Sequence, residues 1–169
     1  MSYAVYTTRG FILGSMPSGE ASKIYLLYTE DFGLVRAKAQ GVRLIHSKLR
    51  YNLDDYAFGA FSLVKGREVW RLTGAEAVGG SVSGSVDREA RLARARVLNL
   101  VRRLVQGEER NEELFDALVS SIGPDSPSET VILSRALSAL GYLDLAALEG
   151  KSERETILAL NKALQETQL

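Results

Sequence analysis

Residues 34–41 read LVRAKAQG, the clearest strand pattern in the first half of the chain. Apolar residues at positions 35, 37 and 39 alternate with the polar residues Arg36, Lys38 and Gln40. Successive side chains of a β-strand point to opposite faces, so the pattern predicts a strand with one buried face. The other face is polar and carries two cations.

The sequence on both sides of this strand predicts a small barrel. Glycines at positions 10 and 14 predict bends in a long first strand, and Pro17-Ser18-Gly19 predicts its end. The predicted elements are strands at 3–16, 23–29 and 34–41, a hairpin turn at 30–33, a short helix or helical turn at 44–55, and strands at 56–65 and 67–75. This order is that of the OB-fold, a five-stranded barrel that binds oligonucleotides and oligosaccharides.

The second half of the chain has a different pattern and predicts helices. Residues 79–85 read GGSVSGS, which is typical of a linker. The predicted domains are therefore a barrel at 1–78, a linker at 79–85 and a helical domain at 86–169. Together they define an α+β protein, with an N-terminal five-stranded OB-fold β-barrel followed by a C-terminal α-helical bundle.

Helix-ending signals divide this half into four predicted helices of 12 to 20 residues. The first two cover 87–106, ended by Gly107, and 111–122, which has an acidic first turn. Capping boxes at Ser126–Glu129 and Ser152–Glu155 predict the start of the other two. We expect an apolar stripe on the last helix to pack against one on the third. The stripes are Ile157, Leu160 and Leu164, and Leu133, Leu137 and Leu140.

The composition excludes several kinds of chemical site. There is no cysteine, which excludes disulfides, thiolate nucleophiles and cysteine-bearing zinc sites. His46 is the single histidine, and its nearest acidic residues are Asp54 and Asp55. We therefore expect no catalytic residue, metal or cofactor, and predict that the chain is not an enzyme. No segment reads as a signal peptide or membrane span, which predicts a cytoplasmic protein.

The charge distribution points to a polyanionic partner. The net charge is zero, but residues 1–85 hold ten cations and seven carboxylates, whereas residues 86–169 hold eleven and fourteen. Between residues 32 and 53 there are five cations and no carboxylate. A cationic groove with aromatic rings for stacking is typical of OB-folds that bind single strands, although most charge runs are only solvated faces. The candidate rings are Tyr25, Phe32, Tyr51 and Trp70.

An ordered series of short motifs resembles the RecO family of recombination mediators. The matching motifs are YTTRG (6–10), SGEA (18–21), GL (33–34), AKAQGVR (37–43), SKL (47–49), Leu53, RL (71–72), AE (75–76) and LGY (140–142). The resemblance implies an OB-fold that binds single- and double-stranded DNA and anneals complementary strands. It also implies partners: a RecR-like protein and single-stranded-DNA-binding protein, with which the family helps to load RecA.

Two departures from the family pattern stand out. Many relatives carry a four-cysteine zinc site after the Gly-Tyr motif, where this chain has residues 143–151 and no cysteine. The chain is also short for the family.

Together, the residues and the resemblance predict a DNA-binding recombination mediator in DNA repair, located in the cytoplasm with the nucleoid. The candidate DNA-binding residues are Arg9, Lys23, Arg36, Lys38, Arg43, His46, Lys48, Arg50 and Arg71. Two alternatives remain open at this point. One is an RNA-binding OB-fold protein, and the other is a protein–protein adaptor that uses its helical bundle.

Overall fold

Five strands form a closed barrel in the computed structural model, which describes residues 3–78 and 88–167. The strand order around the barrel is β1-β2-β3-β5-β4, and one short 3-10 helix, Leu49–Asn52, lies between β3 and β4. The strands are β1 (Val5–Ser18), β2 (Ser22–Thr29), β3 (Gly33–Ala39), β4 (Phe58–Val64) and β5 (Trp70–Ala77). This topology confirms the predicted OB-fold.

Buried and outward-facing side chains alternate along β3, as the sequence predicts. Val35, Ala37 and Ala39 are fully buried in the barrel core, whereas Arg36 is exposed. Small residues suit these positions because the interior of a five-stranded barrel is narrow. The larger core side chains come from the other strands.

The long first strand is irregular at Gly14 as predicted, is in regular register at Gly10, and ends later than predicted. The register between β1 and β2 shifts between Ile12 and Gly14, so Gly14 lies at a bulge. The predicted end at Pro17 is wrong, because β1 continues to Ser18, and Pro17 pairs with Lys23. A proline near the end of a ladder costs few hydrogen bonds, so the hairpin tolerates it.

The predicted helix or helical turn at 44–55 is present as a helical turn over Leu49–Asn52, shorter than the predicted range. A helix in water is stable only if it buries an apolar face. Leu44 and Ile45 are instead 56% and 77% exposed, so the start of the predicted range does not bury an apolar face.

A segment remote in sequence completes the barrel unit. Residues Val105–Arg110, here called the closing segment, belong to the same compact unit as the barrel. β3 pairs with β5 at only two register positions. Near the start of β3, the Leu34 amide donates a hydrogen bond to the Gly107 carbonyl (3.2 Å). The Trp70 indole Nε1 donates to a carboxylate oxygen of Glu108 (2.8 Å).

The closing segment comes so near that Gly33 has no room for a side chain. A Cβ atom added there would lie 2.2 Å from the Glu109 carbonyl oxygen, and Gly33 has a left-handed φ of 63°. Glycine is the residue that satisfies both conditions.

The second unit is helical, with four α-helices among the described residues. The helices are α1 (Arg88–Leu104), α2 (Glu112–Val119), α3 (Glu129–Ala139) and α4 (Glu153–Glu166). Two of them, α2 and α3, are shorter than predicted. The predicted end of the first helix at Gly107 is also too late, because α1 stops at Leu104. The predicted linker at 79–85 lies outside the described residues, and the domain boundary stays a prediction.

Of the two capping boxes predicted at helix starts, one is present and one is not. The capping box of Ser152 and Glu155 is confirmed, with both reciprocal hydrogen bonds present. The predicted box at 126–129 is wrong, because Ser128 is the N-cap and makes no side-chain cap hydrogen bond. The carboxylate of Glu129 is instead bound by the Arg96 guanidinium, at 2.9 and 3.1 Å from Nε. Local sequence cannot reveal such competition from another helix.

The last helix packs as predicted at its centre. Leu160 is 4% exposed and lies in one core cluster with Leu137 and Ala163. Ile157, which was predicted to be part of the buried stripe, is 41% exposed, so that part of the prediction is wrong. None of the helices in 3–78 and 88–167 is long and apolar enough to cross a membrane.

Candidate nucleic-acid interface

Three cations lie on the outer surface of two neighbouring strands. Arg36 and Lys38 occupy the outward positions of β3. Lys38 is the register partner of Arg71 on β5, so these two side chains lie side by side. Neighbouring strands are about 4.8 Å apart, which is within the reach of one phosphate group for both side chains. We call Arg36, Lys38 and Arg71 the cationic face.

The cationic face has no internal counter-charge. Within residues 3–78 and 88–167, no carboxylate forms an ion pair with any of its three members. The β2 residues opposite Lys38 and Arg36 are Ile24 and Leu26, which are half-buried. The surface therefore offers free positive charge beside apolar side chains, a combination that suits a phosphate backbone and its sugars.

Four further candidates lie on the connection between β3 and β4. Its ends are fixed, since Val42 and Leu53 are buried in the barrel core. All four candidate side chains between these anchors are exposed. They are Arg43, His46, Lys48 and Arg50. We call residues 43–50 the cationic loop.

One aromatic ring beside the cationic loop is available for stacking. The Tyr51 side chain is 72% exposed, and the Arg50 guanidinium carbon lies 5.6 Å from its ring centre. An exposed ring beside a cation can stack on a base while the cation binds the adjacent phosphate. Tyr51 is thus the predicted stacking residue that the structure leaves accessible.

The other predicted stacking rings are wrong or only partly available. Tyr25 and Trp70 are 3% and 4% exposed, and both belong to the barrel core. Burial raises the pKa of Tyr25, with smaller contributions from Asp55 and Asp54. Phe32 is half-buried, with its ring centre 4.9 Å from that of Trp70. Aromatic side chains supply the volume that the small core residues of β3 leave unfilled.

Two predicted cations stand apart from the cationic face. Lys23 pairs with the buried Ala39, so its register places it on the opposite side of the sheet from Lys38. Arg9 lies on β1, where its guanidinium donates to both carboxylate oxygens of Glu30, at 2.8 and 2.7 Å. That bidentate pair removes one positive charge from the surface.

The hydrogen bonds from Arg9 lower the pKa of Glu30 below its ordinary value of 4.5. A carboxyl with a lowered pKa stabilises the fold above its unfolded-state pKa, and this stability is lost as the pH falls through the folded-state pKa. Because the pair is exposed, we expect Arg9→Gln to cost at most about 1 kcal/mol at pH 7. The difference from wild type should shrink as the pH falls through the folded-state pKa of Glu30. Urea unfolding at several pH values measures it, and a difference that persists at low pH would contradict the ion-pair explanation.

Two further cations near this surface were missed by the sequence analysis. Lys65 and Arg67 are exposed on the loop between β4 and β5, and the Lys65 ammonium lies 5.6 Å from the Trp70 ring centre. This loop is one of the two that border the ligand face of OB-folds. Because this loop borders the ligand face in OB-folds, the two cations at residues 65–67 could have been identified from the sequence as candidate DNA-binding residues.

Fold and surface together define a class: an OB-fold protein with a cationic outer face. Comparison with known proteins narrows this class. Residues 1–81 match the family model described as "Recombination protein O N terminal". Several proteins named "DNA repair protein RecO" are also similar, and the chain therefore belongs to the RecO family.

The similarity to these relatives extends beyond the barrel. The protein from Rubrobacter xylanophilus is 31% identical over 71% of this chain and 55% of its own length. The protein from Gloeothece citriformis is 31% identical over 67% of this chain and 40% of its own length. The protein from Gloeobacter violaceus is 29% identical over 70% of this chain and 46% of its own length. The chain spans about half the length of the curated relatives it matches.

Proposed function

We propose that this chain is a DNA-binding recombination mediator in DNA repair, which binds single- and double-stranded DNA. The observation that carries the proposal is the cationic face, an unpaired set of cations on the outer surface of an OB barrel. OB-folds commonly bind oligonucleotides on this part of the barrel. The relatives named as DNA repair proteins favour DNA over other polyanions.

The mechanism of binding is electrostatic. Each cation that neutralises a phosphate releases counterions, and binding weakens steeply as salt rises. The candidate contacts are cations that bind phosphate groups, which carry no sequence information, so we expect no sequence preference. Tyr51 adds a stacking position, which would favour unpaired bases.

Strand annealing follows from the same physics. Neutralised strands repel each other less, so complementary sequences meet more often, and no covalent bond forms or breaks. We further propose that the protein works with a RecR-like protein and single-stranded-DNA-binding protein to help load RecA. Competition of RNA against DNA for the labelled complex tests the RNA-binding alternative.

A salt series tests the role of the cationic face. We expect the variant Arg36→Gln/Lys38→Gln/Arg71→Gln to bind single-stranded DNA more weakly. Because three phosphate contacts are lost, the plot of log K against log salt should become less steep, with its slope smaller in magnitude by about two. Fluorescence anisotropy of a labelled oligothymidylate measures both quantities.

A matched variant controls for net charge. Arg135, Arg154 and Lys162 are exposed in the helical unit, and replacing all three by glutamine makes the same charge change outside the barrel unit. We expect this control variant to keep the wild-type slope. A folded barrel variant whose slope equals that of the control would place the binding surface elsewhere.

A further inference from the structure

Helix α1 concentrates positive charge in the helical unit. Its 17 residues include six arginines and one carboxylate, Glu89. By contrast, α2 has three carboxylates and no cation, and α4 has three carboxylates and two cations. The arginines are Arg88, Arg91, Arg94, Arg96, Arg102 and Arg103.

Three of these arginines lie on one side of the helix. At 3.6 residues per turn, Arg88, Arg91 and Arg102 fall within an arc of about 60°. All three side chains are exposed, and none forms an ion pair with a carboxylate in the described parts of the chain. We call these three residues the arginine face.

The neighbouring arginines have other surroundings. Arg96 lies off this arc and is neutralised by Glu129. Arg94 is half-buried, and burial together with the nearby Arg91 lowers its pKa. Arg91 therefore lies close enough to Arg94 for their positive charges to repel each other.

Helix stability does not explain the arginine face. Like charges three residues apart, as at Arg88 and Arg91, repel each other. Cations in the first turn also oppose the helix dipole, whereas Arg102 in the last turn is favourable. A bound anion would relieve this repulsion.

We propose that the arginine face binds the phosphate backbone of a second nucleic-acid strand. This inference rests on the proposed function, because a protein that anneals strands brings them together more effectively if it holds two at once. The helix rises about 21 Å between Arg88 and Arg102, which matches about six nucleotide steps of a B-form strand. Guanidinium groups suit this ligand because they bind phosphate oxygens in a bidentate manner.

A bridging assay tests the proposal. One oligonucleotide is fixed to a surface, and a second, non-complementary and fluorescent, is added with the full chain. We expect wild type to retain the fluorescent strand and Arg88→Gln/Arg91→Gln/Arg102→Gln to lose this retention. In anisotropy, the same variant should still bind one strand through the cationic face.

Two variants make the comparison specific. The control Arg135→Gln/Arg154→Gln/Lys162→Gln has the same net charge and should retain the second strand. Arg88→Lys/Arg91→Lys/Arg102→Lys keeps the charge and should bridge much better than the glutamine variant. Circular dichroism melts verify that each variant is folded.

The outcomes separate this inference from the proposed function. If wild type binds no DNA in anisotropy, the proposed function fails and this inference fails with it. If wild type binds and bridges but the arginine-face variant bridges equally well, only this inference is overturned. It is also overturned if that variant loses capture of an acidic polypeptide such as polyglutamate but still bridges two strands, since the face would then be a protein-binding surface.

Discussion

Replacing Leu160 with aspartate is expected to destabilise the helical unit by about 4 kcal/mol or more. Leu160 is 4% exposed and packs with Leu137 and Ala163. The substitution removes apolar packing and places a carboxylate where no described cation belongs to the cluster. Thermal unfolding followed by far-ultraviolet circular dichroism, which reports mainly on helix, measures the loss.

Leu158 provides the matched control on the same helix. It is 68% exposed, so Leu158→Asp changes charge and helix propensity equally but buries nothing. We expect this variant to melt within a few degrees of wild type. Equal melting of the two variants would mean that the face of α4 around Leu160 is open to solvent and available to a partner.

The second large effect is expected at Gly33. Alanine there must adopt a left-handed φ, and its Cβ would clash with the Glu109 carbonyl oxygen at 2.2 Å. The position of the Cβ atom is fixed by the backbone of residue 33, and the Glu109 oxygen is itself a backbone atom, so neither can turn away. We expect Gly33→Ala to destabilise the barrel by about 3 kcal/mol, of which roughly 1 kcal/mol is the conformational cost alone.

Gly19→Ala separates the two contributions. Gly19 also has a left-handed φ, of 71°, but nothing lies within 4 Å of its added Cβ. We expect it to lose only the conformational part. The chain's single tryptophan, Trp70, is a core residue of the barrel, so its fluorescence in urea reports on this unit. Equal losses for the two variants would show that the closing segment does not press on Gly33.

The sequence predicts those elements best whose structure depends on residues close together in the chain. The alternation at residues 34–41 identifies β3, because each position depends only on which face of the strand it occupies. The Ser152 capping box is likewise formed by residues three apart. The order of elements then suffices for the barrel topology.

Prediction fails where a distant residue decides. The closing segment leaves no local signature, since Gly33 reads as an ordinary turn residue and its neighbour Glu109 is far along the chain. The same is true of Glu129, whose partner Arg96 lies on another helix. Trp70 was misread because one sequence does not distinguish a core ring from a stacking platform.

For the cationic face, residue types and strand alternation were enough for Arg36 and Lys38. Arg71 joins them only through the parallel register of β3 and β5, which no local pattern encodes. Lys23 is separated from them by a register that reverses its side of the sheet. Its role in DNA binding, like that of each other candidate, stays a prediction.

The closing segment has a consequence for the order in which the chain is made. When β5 has just left the ribosome, the barrel has all its strands but not Gly107 and Glu108, which bind Leu34 and Trp70. Synthesis must continue through all of α1 before those groups find their partners. Until that segment is made, the Leu34 amide and the Trp70 indole N–H of the nascent barrel lack these two hydrogen-bond partners.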